Sequence, residues 1–458
     1  MLSFAAFPPV GTSSIVSTNC FLTEFGAPPK SSKFGFWFAP LVLLFPSPPV
    51  FASCHLNTEI RYPHFIQQFP FCLSPHVKSN QAMPHSKNFR VYFVLAILLI
   101  AATVVLLREH RPSFLRPNLH MYAYASTADG SVAVIDLVNL HTIARISVGP
   151  AISDLREHAK RDEIWGVSSA GGFLFVLDAP SNRLTRIPVG PSPFSIDFSP
   201  SGDRIYTTAA GADQLIVVDA ASRQIYGRAH TGSEPVQARL TPDAKNIAVV
   251  NRRASTLSIH DARTLQLLNS IPVIPQPDEV VITRDSSLAF VLSRSQTRLS
   301  VVDLQRAVLL TNLQLAGKPT QMILKPDGGE LYVFTPDAHG LQAINTWTHE
   351  MGDYMLLGSA PTSAIIDSDG TAMYVADRAA SRVVPVDIYN RRVSKPISVG
   401  AAPSAMRFSP TDPGAKPPML LVVDESSDDL AVIRTRTDSL LTLIPVGSEP
   451  QRLAVKTF

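Results

Sequence analysis

Residues 193–232, PFSIDFSPSGDRIYTTAAGADQLIVVDAASRQIYGRAHTG, contain four short runs in which apolar and polar side chains alternate. The sequences PSGD, GAD and DAAS separate these runs, and their residues favour tight chain reversals. Alternation with a period of two is typical of strands that bury one face. The stretch therefore predicts an antiparallel meander of four strands.

The same unit recurs to the end of the chain with a step of 41 or 42 residues. One late step of 47 residues follows from the insertion TDPGAKPP at 411–418. A repeat of about 40 to 50 residues with four strands is the signature of a β-propeller. Two series of residues mark the step: the strand-ending Asp136, Asp178, Asp219, Asp261, Asp303, Asn345 and Asp387, and the prolines Pro193, Pro235, Pro277, Pro319, Pro361, Pro403 and Pro450.

The number of strands predicts how the ring closes. The repeats begin at Met121 with MYAYAS, which resembles a second strand, whereas residues 450–458 resemble a first strand and then stop. We therefore predict an all-β, eight-bladed propeller of four-stranded antiparallel blades over residues 121–458, in which the C-terminal strand 450–458 completes the first blade and covers two exposed strand edges. Seven blades is the alternative, if the repeat at 151–190 is incomplete.

Residues 1–82 differ from the rest of the chain. They hold all three cysteines, eleven prolines and only six charged side chains, without helical or strand periodicity. We interpret them as disordered, or as sequence upstream of a working start at Met83. The alternative is a targeting segment.

Residues 91–107, VYFVLAILLIAATVVLL, form an uncharged apolar run. As a helix it would span about 25 Å, which predicts a transmembrane anchor. A cleaved signal peptide and a buried soluble helix are the alternatives. Residues 83–90 form a short basic tail and residues 108–120 a proline-containing linker. Because such a tail usually stays inside the cell, we expect a single-pass membrane protein with a periplasmic or extracellular propeller.

Composition argues against several classes of function. The net charge is only +3, and no basic run alternates with aromatic residues, which argues against nucleic-acid binding. The propeller region has no cysteine and no pair of histidines at metal-ligand spacing. The sequence therefore predicts no metal site, no covalent haem and no cofactor.

Three segments carry a family resemblance: RIYTTAAGADQLIVVDAASRQI, ELYVFTPDAHGLQAINTWTHE and AMYVADRAASRVVPVDIYNRRVSKPISVGAAP. They resemble the repeats of bacterial and archaeal YVTN-type propellers, and the likeness covers residues 121–458. It implies a propeller fold. Related propellers include surface-layer proteins, lactonases, haem d1 domains and quinoprotein-type dehydrogenases, so the resemblance selects no single activity.

Candidate ligand-binding residues follow from the expected geometry. If the proline-led strand of each blade lies innermost, the turns after the second strands and the G-x-x-P connections share one face. Equivalent turns there carry arginines that could bind an anion through forked hydrogen bonds, although ordinary solvated arginines, some paired with Asp377 or Glu279, are the alternative. The candidates are Arg252, Arg253, Arg294, Arg298, Arg378 and Arg382, together with Glu234, Glu279, His230 and His339.

No catalytic residue is assigned, because the histidines are scattered along the sequence. The strand-ending aspartates are interpreted as closing their own turns, not as metal ligands. We therefore favour a binding or scaffolding module for a protein or an anionic cell-envelope ligand. The alternative is an enzyme of the lactonase or haem- or quinone-dependent dehydrogenase type, which would need a polar pocket joining His230 or His339 to Glu234 or Glu279.

Overall fold

The computed structural model describes residues 120–411 and 417–458, which contain 33 strands in eight antiparallel sheets. The sheets are the blades of one propeller, so the predicted all-β fold with eight blades is confirmed. The predicted anchor at 91–107, its flanking tail and linker, and the segment 1–82 lie outside the described residues. Among the residues that are described, no helix is long and apolar enough to cross a bilayer.

The first four blades are built from strands β1 to β15. Blade 1 contains β1 (Met121–Ser126), β2 (Ser131–Asp136) and β3 (His141–Ser147); blade 2 contains β4 (Ile152–Glu157), β5 (Glu163–Ser168), β6 (Phe173–Asp178) and β7 (Leu184–Pro188); blade 3 contains β8 (Pro193–Phe198), β9 (Arg204–Ala209), β10 (Gln214–Asp219) and β11 (Ile225–His230); and blade 4 contains β12 (Pro235–Leu240), β13 (Asn246–Asn251), β14 (Thr256–Asp261) and β15 (Leu267–Pro272).

The last four blades continue the pattern, and short 3-10 turns at Ala210–Ala212 and Pro336–Ala338 lie between strands. Blade 5 contains β16 (Glu279–Ile282), β17 (Leu288–Leu292), β18 (Arg298–Asp303) and β19 (Val308–Gln314); blade 6 contains β20 (Gln321–Leu324), β21 (Glu330–Thr335), β22 (Gly340–Asn345) and β23 (Met351–Leu356); blade 7 contains β24 (Pro361–Ile366), β25 (Ala372–Asp377), β26 (Arg382–Asp387), β27 (Arg392–Val393) and β28 (Ile397–Ser398); and blade 8 contains β29 (Pro403–Phe408), β30 (Met419–Asp424), β31 (Asp429–Arg434) and β32 (Ser439–Pro445).

Two blades depart from the simple meander. The outer strand of blade 7 is divided into β27 and β28, because Pro396 between them has no N–H for the ladder. Blade 1 receives its innermost strand from the other end of the chain: β33 (Arg452–Thr457) pairs antiparallel with β1. His120 and Phe458 exchange backbone hydrogen bonds of 3.1 and 3.0 Å at the end of this pair. The two ends of the propeller therefore meet in one sheet.

The apolar core lies between the blades. Because successive side chains point to opposite faces of a sheet, each central strand packs against both neighbouring blades. In β30, Leu421 and Val423 pack against blade 1, whereas Leu420 and Val422 pack against blade 7. The described residues form eight such clusters, one at each junction between blades. This continuous packing holds the innermost strands around a common axis.

The repeated prolines and aspartates have local roles that explain their spacing. Pro193 and Pro235 begin innermost strands, which have a neighbour on one side only and tolerate the missing N–H. A bulge follows each of them and turns the next side chains towards the axis. At the other end of the blade, the Asp261 carboxylate accepts the N–H groups of Arg263 and Thr264 at 3.0 and 2.7 Å, which confirms the interpretation of such aspartates as turn-closing residues.

Candidate functional site

The innermost strands of all eight blades surround a central channel that opens as a cavity of about 540 Å³. Two rings of side chains follow the bulges. The ring nearer the mouth stands two residues after the repeat proline, and the deeper ring stands four residues after it. The first ring is Asp154, Ser195, Gln237, Glu279, Gln321, Ser363, Ala405 and Arg452, all of which line the cavity. Of the deeper positions, Arg156, Arg239 and Arg407 line the cavity, whereas Asp197, Val281, Ile323, Ile365 and Ala454 do not.

Part of the predicted arginine arc converges at the channel mouth. Arg252 lies 2.7 Å from Asp278 and 3.4 Å from Glu234. Arg294 in the next blade lies 3.8 Å from the same Asp278 and 3.4 Å from Glu279. On the far side of the mouth, Arg378 of blade 7 pairs with Glu425 of blade 8. We call these residues the mouth cluster: Arg252, Arg294, Arg378, Glu234, Asp278, Glu279 and Glu425.

A second, shallower pocket of about 480 Å³ adjoins the mouth on blades 2 to 4. Arg253, with a side chain that is 75% exposed, lies 3.4 Å from Glu234. The Arg252 guanidinium stands 5.7 Å from the centre of the Phe194 ring, and both side chains line the pocket. Together with the mouth cluster, the pocket makes one continuous surface of charged and aromatic side chains, which we call the mouth face.

The other sequence-predicted candidates lie away from both cavities. Arg298 is exposed at the start of β18, and Arg382 pairs with Asp377 at 2.9 Å. His230 is exposed at the end of the outermost strand of blade 3. His339 is exposed in a turn, where its Nδ1 lies 2.8 Å from the Ser359 carbonyl oxygen. The structure therefore brings neither histidine together with Glu234 or Glu279.

The deeper channel contains charged residues that the sequence analysis did not select. Arg156 lies 3.2 Å from Asp154 and 3.9 Å from Asp197, and Arg239 lies 3.2 Å from Asp197. Asp154 also accepts the Ile196 N–H of the next blade at 3.1 Å. A signal was present in the sequence: these positions hold arginine or aspartate in some repeats and valine or isoleucine in others.

The pKa values of two channel carboxylates, Asp154 and Glu279, are shifted in opposite directions. Burial opposes ionisation of Asp154, but Arg156 and the Ile196 N–H outweigh it and lower the pKa of Asp154. Glu279 lacks an equally close partner, so burial raises its pKa in spite of Arg294. Asp154 is therefore a fixed negative charge in the channel wall. Glu279 is the more readily protonated of the two.

The described ranges contain no group of three or more histidine, cysteine, aspartate or glutamate side chains placed to hold a metal ion. Both cavities of the mouth face are lined instead by arginine, carboxylate, amide, hydroxyl and apolar side chains. This chemistry suits the binding of a charged ligand through ion pairs and hydrogen bonds.

Comparisons with known proteins agree on the fold. No protein-family model and no curated protein matches the chain. Among solved structures, it is similar to dihydro-haem d1 dehydrogenase NirN in complex with DHE, with 13% identity, a TM-score of 0.64, and coverage of 75% of this chain and 77% of that one. It is also similar to apo AztD from Citrobacter koseri, with 13% identity, a TM-score of 0.57, and coverage of 74% and 98%.

A further similar structure is hydrazine synthase from Kuenenia stuttgartiensis, with 18% identity, a TM-score of 0.51, and coverage of 63% of this chain and 97% of that one. At such low identities a structural likeness carries the fold without the function. The comparisons therefore support the β-propeller architecture of this chain, and its function must be argued from its own side chains.

Proposed function

We propose that this protein is a YVTN-like propeller that acts as a binding module, with the mouth face as its ligand-binding surface. The ligand is a protein or an anionic component of the cell envelope. Residues 91–107 anchor the chain in the membrane, and the propeller lies outside the cytoplasm.

The observation that carries the proposal is the convergence of charged side chains from separate blades on the mouth face. Arginines of blades 4, 5 and 7 alternate there with carboxylates, and the side chains of Arg252, Arg294 and Arg378 remain 29, 49 and 41% exposed. Partly exposed charges of alternating sign steer and orient a charged partner. Arg253 and Phe194 extend this surface into the adjoining pocket.

The N-terminal end of strand β1 lies on the side of the propeller opposite the mouth face. Strand β1 ends at Ser126 on the side of the mouth face and begins at Met121 on the opposite side, where His120 pairs with Phe458.

The enzyme alternative receives less support from the site. It required His230 or His339 to meet a carboxylate in a polar pocket, and both side chains lie outside the two cavities of the mouth face. The carboxylates at the mouth are engaged by arginines instead. The arrangement favours recognition over acid–base chemistry.

Cysteine labelling tests the proposed location, because residues 121–458 contain no cysteine. Arg253→Cys introduces an accessible thiol on the mouth face of a chain started at Met83. We expect a membrane-impermeant maleimide to label it in cells whose inner membrane is intact. Labelling that appears only after lysis would place the propeller in the cytoplasm.

Charge reversal tests the binding surface. We expect Arg253→Glu combined with Arg294→Glu to weaken retention of the purified protein on isolated cell envelopes by about tenfold or more. Arg263→Glu combined with Arg306→Glu makes the same charge change in exposed turns of the opposite face and serves as the control. Equal retention of the two double variants would contradict the assignment of the mouth face.

A further inference from the structure

Most arginines of the channel and its mouth are paired with carboxylates, whereas two have no such partner among the described residues. At the mouth, the arginines Arg252, Arg253, Arg294 and Arg378 all lie within 4 Å of carboxylates. Along the channel wall, Asp154 and Asp197 are occupied by Arg156 and Arg239. The remaining channel arginines are Arg407 and Arg452.

Arg407 and Arg452 have no carboxylate within 4 Å among the residues that the structure describes. Arg407 Nη1 donates only to the neighbouring Met406 carbonyl oxygen at 3.0 Å, and Arg452 Nε donates to the Ser153 carbonyl oxygen at 2.9 Å. Burial lowers the pKa of Arg407, and Glu157 offsets this only in part. Since a guanidinium carries five N–H donors, most donors of these two side chains have no protein acceptor within the described part of the chain.

Neutral donors line the same cavity. The Oε1 atoms of Gln237 and Gln321 accept N–H groups of the next blade at 2.6 and 2.8 Å, which fixes the two amides. Their Nε2 groups have no hydrogen-bond acceptor within the described part of the chain. Ser195 is only 8% exposed, and its Oγ likewise has no hydrogen-bond partner there. Buried polar groups in proteins are normally satisfied, so the Ser195 hydroxyl indicates that a ligand binds at this wall of the cavity. Gln237, Gln321 and Arg407 are half-buried and Arg452 is exposed, so the donors of these side chains are accessible to the same ligand.

We propose that the channel binds a small, multiply charged oxyanion, a carboxylate or a phosphate, whose charge is held by Arg407 and Arg452. Blades 8 and 1 place these two side chains in neighbouring positions, where two planar guanidinium groups can each bind one oxyanion group through paired hydrogen bonds. Ser195, Gln237 and Gln321 donate to the rest of the ligand across the channel. A cavity of about 540 Å³ accommodates a small organic acid.

This site adjoins the proposed surface for a macromolecule, because Arg294, Arg378 and Glu279 of the mouth cluster line the same cavity. Arg407, Arg452, Ser195, Gln237 and Gln321 belong to the channel lining and not to the mouth cluster. The channel could therefore bind its anion whether or not the mouth face binds an envelope component. Arg253 does not line the channel, so loss of envelope binding in the single variant Arg253→Glu would leave the anion affinity unchanged.

Calorimetric titration of the full-length protein with citrate and with inorganic phosphate tests the proposal, with ionic strength held constant by sodium chloride. We expect at least one of the two anions to bind the unaltered protein in a saturable manner. Arg407→Gln and Arg452→Gln should each weaken that binding about tenfold or more, because each removes a charge-assisted pair of hydrogen bonds. Binding of citrate alone identifies a carboxylate ligand, and binding of phosphate alone identifies a phosphate ligand.

Two controls separate binding from folding. Arg263→Gln removes an exposed arginine of the opposite face and should leave the anion affinity unchanged. Arg407→Gln should keep or raise the Tm in buffer free of multivalent anions, since a half-buried charge without a carboxylate partner among the described residues costs stability. The proposal is overturned if neither anion binds beyond the effect of chloride, or if Arg407→Gln and Arg263→Gln bind the anion equally well.

Discussion

Asp424 and Asp429 face each other across strands β30 and β31, at the position where the neighbouring blade 7 pairs Asp377 with Arg382. Asp424 is fully buried, and the Oδ1 atoms of both aspartates have no hydrogen-bond partner among the described residues. Burial and then the neighbouring carboxylate raise the pKa of Asp424 to about 8. The pKa of Asp429 is also raised. At neutral pH the two carboxyl groups therefore share one proton.

This pair contributes stability that is lost as the pH rises towards 8. An unfolded aspartate ionises near pH 4, whereas the folded pair retains its proton up to about 8. Over that interval the pair binds more protons in the folded state, so its contribution to the free energy of unfolding falls as the pH rises. The contribution of the pair to stability is complete below about pH 4 and is lost as the pH rises through about 8. Urea unfolding as a function of pH measures it.

Asp424→Asn should remove most of this dependence, because the asparagine amide donates to Asp429 without requiring a shared proton. Asp377→Asn is the matched control, because the pKa of Asp377 is shifted in the opposite direction to that of Asp424. Hydrogen bonds from the Ala360 N–H and Ser359, with Arg382, outweigh burial and lower the pKa of Asp377, so this variant should lose stability at neutral pH. An unchanged pH profile in Asp424→Asn would argue against proton sharing.

The sequence predicted those features of the fold that depend on local interactions. Pro193 begins its strand and Asp261 closes its turn through neighbours in the same repeat, so their spacing counted the blades correctly. The channel chemistry depends instead on closure of the ring. Arg452 meets Ser153 only because the last strand joins the first blade, which brings opposite ends of the repeat region together. The repeat pattern therefore gives the position of Arg452 in its strand, but not the residues that its side chain contacts.

Removal of the ion pair between blades 2 and 3 should destabilise the propeller. Arg223 lies 2.7 Å from Glu163, and its guanidinium stands 4.9 Å from the centre of the Trp165 ring. Arg223→Ala leaves Glu163 nearly buried without its partner, although Trp165 Nε1 still donates to it at 3.0 Å. We expect a loss of about 2 kcal/mol, discounted for the partial exposure of the pair. Equilibrium denaturation measures it.

Arg263→Ala provides the comparison, because Arg263 is exposed in a turn. Its stability should change by less than about 0.5 kcal/mol. If Arg223→Ala were equally mild, the contact between blades 2 and 3 would depend on apolar packing alone.

Gly166 should not tolerate even a methyl group. It lies opposite Phe175 in the pairing of β5 with β6, and the Phe175 ring occupies the space that a Cβ would fill. Gly166→Ala must displace this fully buried ring, which we expect to cost about 1–3 kcal/mol. Gly329→Ala is the control, since its nearest neighbour would be 3.5 Å from the new Cβ. Equal stability of the two variants would show that the Phe175 ring can relocate without cost.

The last residues of the chain are essential for the stability of the propeller, because β33 completes the first blade. Strand β33 pairs with β1 from Met121 to Ser126, and Leu453 and Val455 enter the cluster between blades 8 and 1. Deletion of residues 452–458 exposes the edge of β1 and this apolar cluster, so we expect lower stability and aggregation. Size-exclusion chromatography and thermal unfolding measure both effects.

Deletion of Phe458 alone is the control, because it removes the ring that stacks 5.5 Å from His120 but leaves the strand pairing of β33 in place. That variant should remain monomeric with a modest decrease in Tm. A monomeric protein of unchanged Tm after the longer deletion would mean that seven complete blades and an open edge suffice for the ring. It would also remove Arg452 from the channel, so a truncated protein that survived should bind citrate or phosphate more weakly.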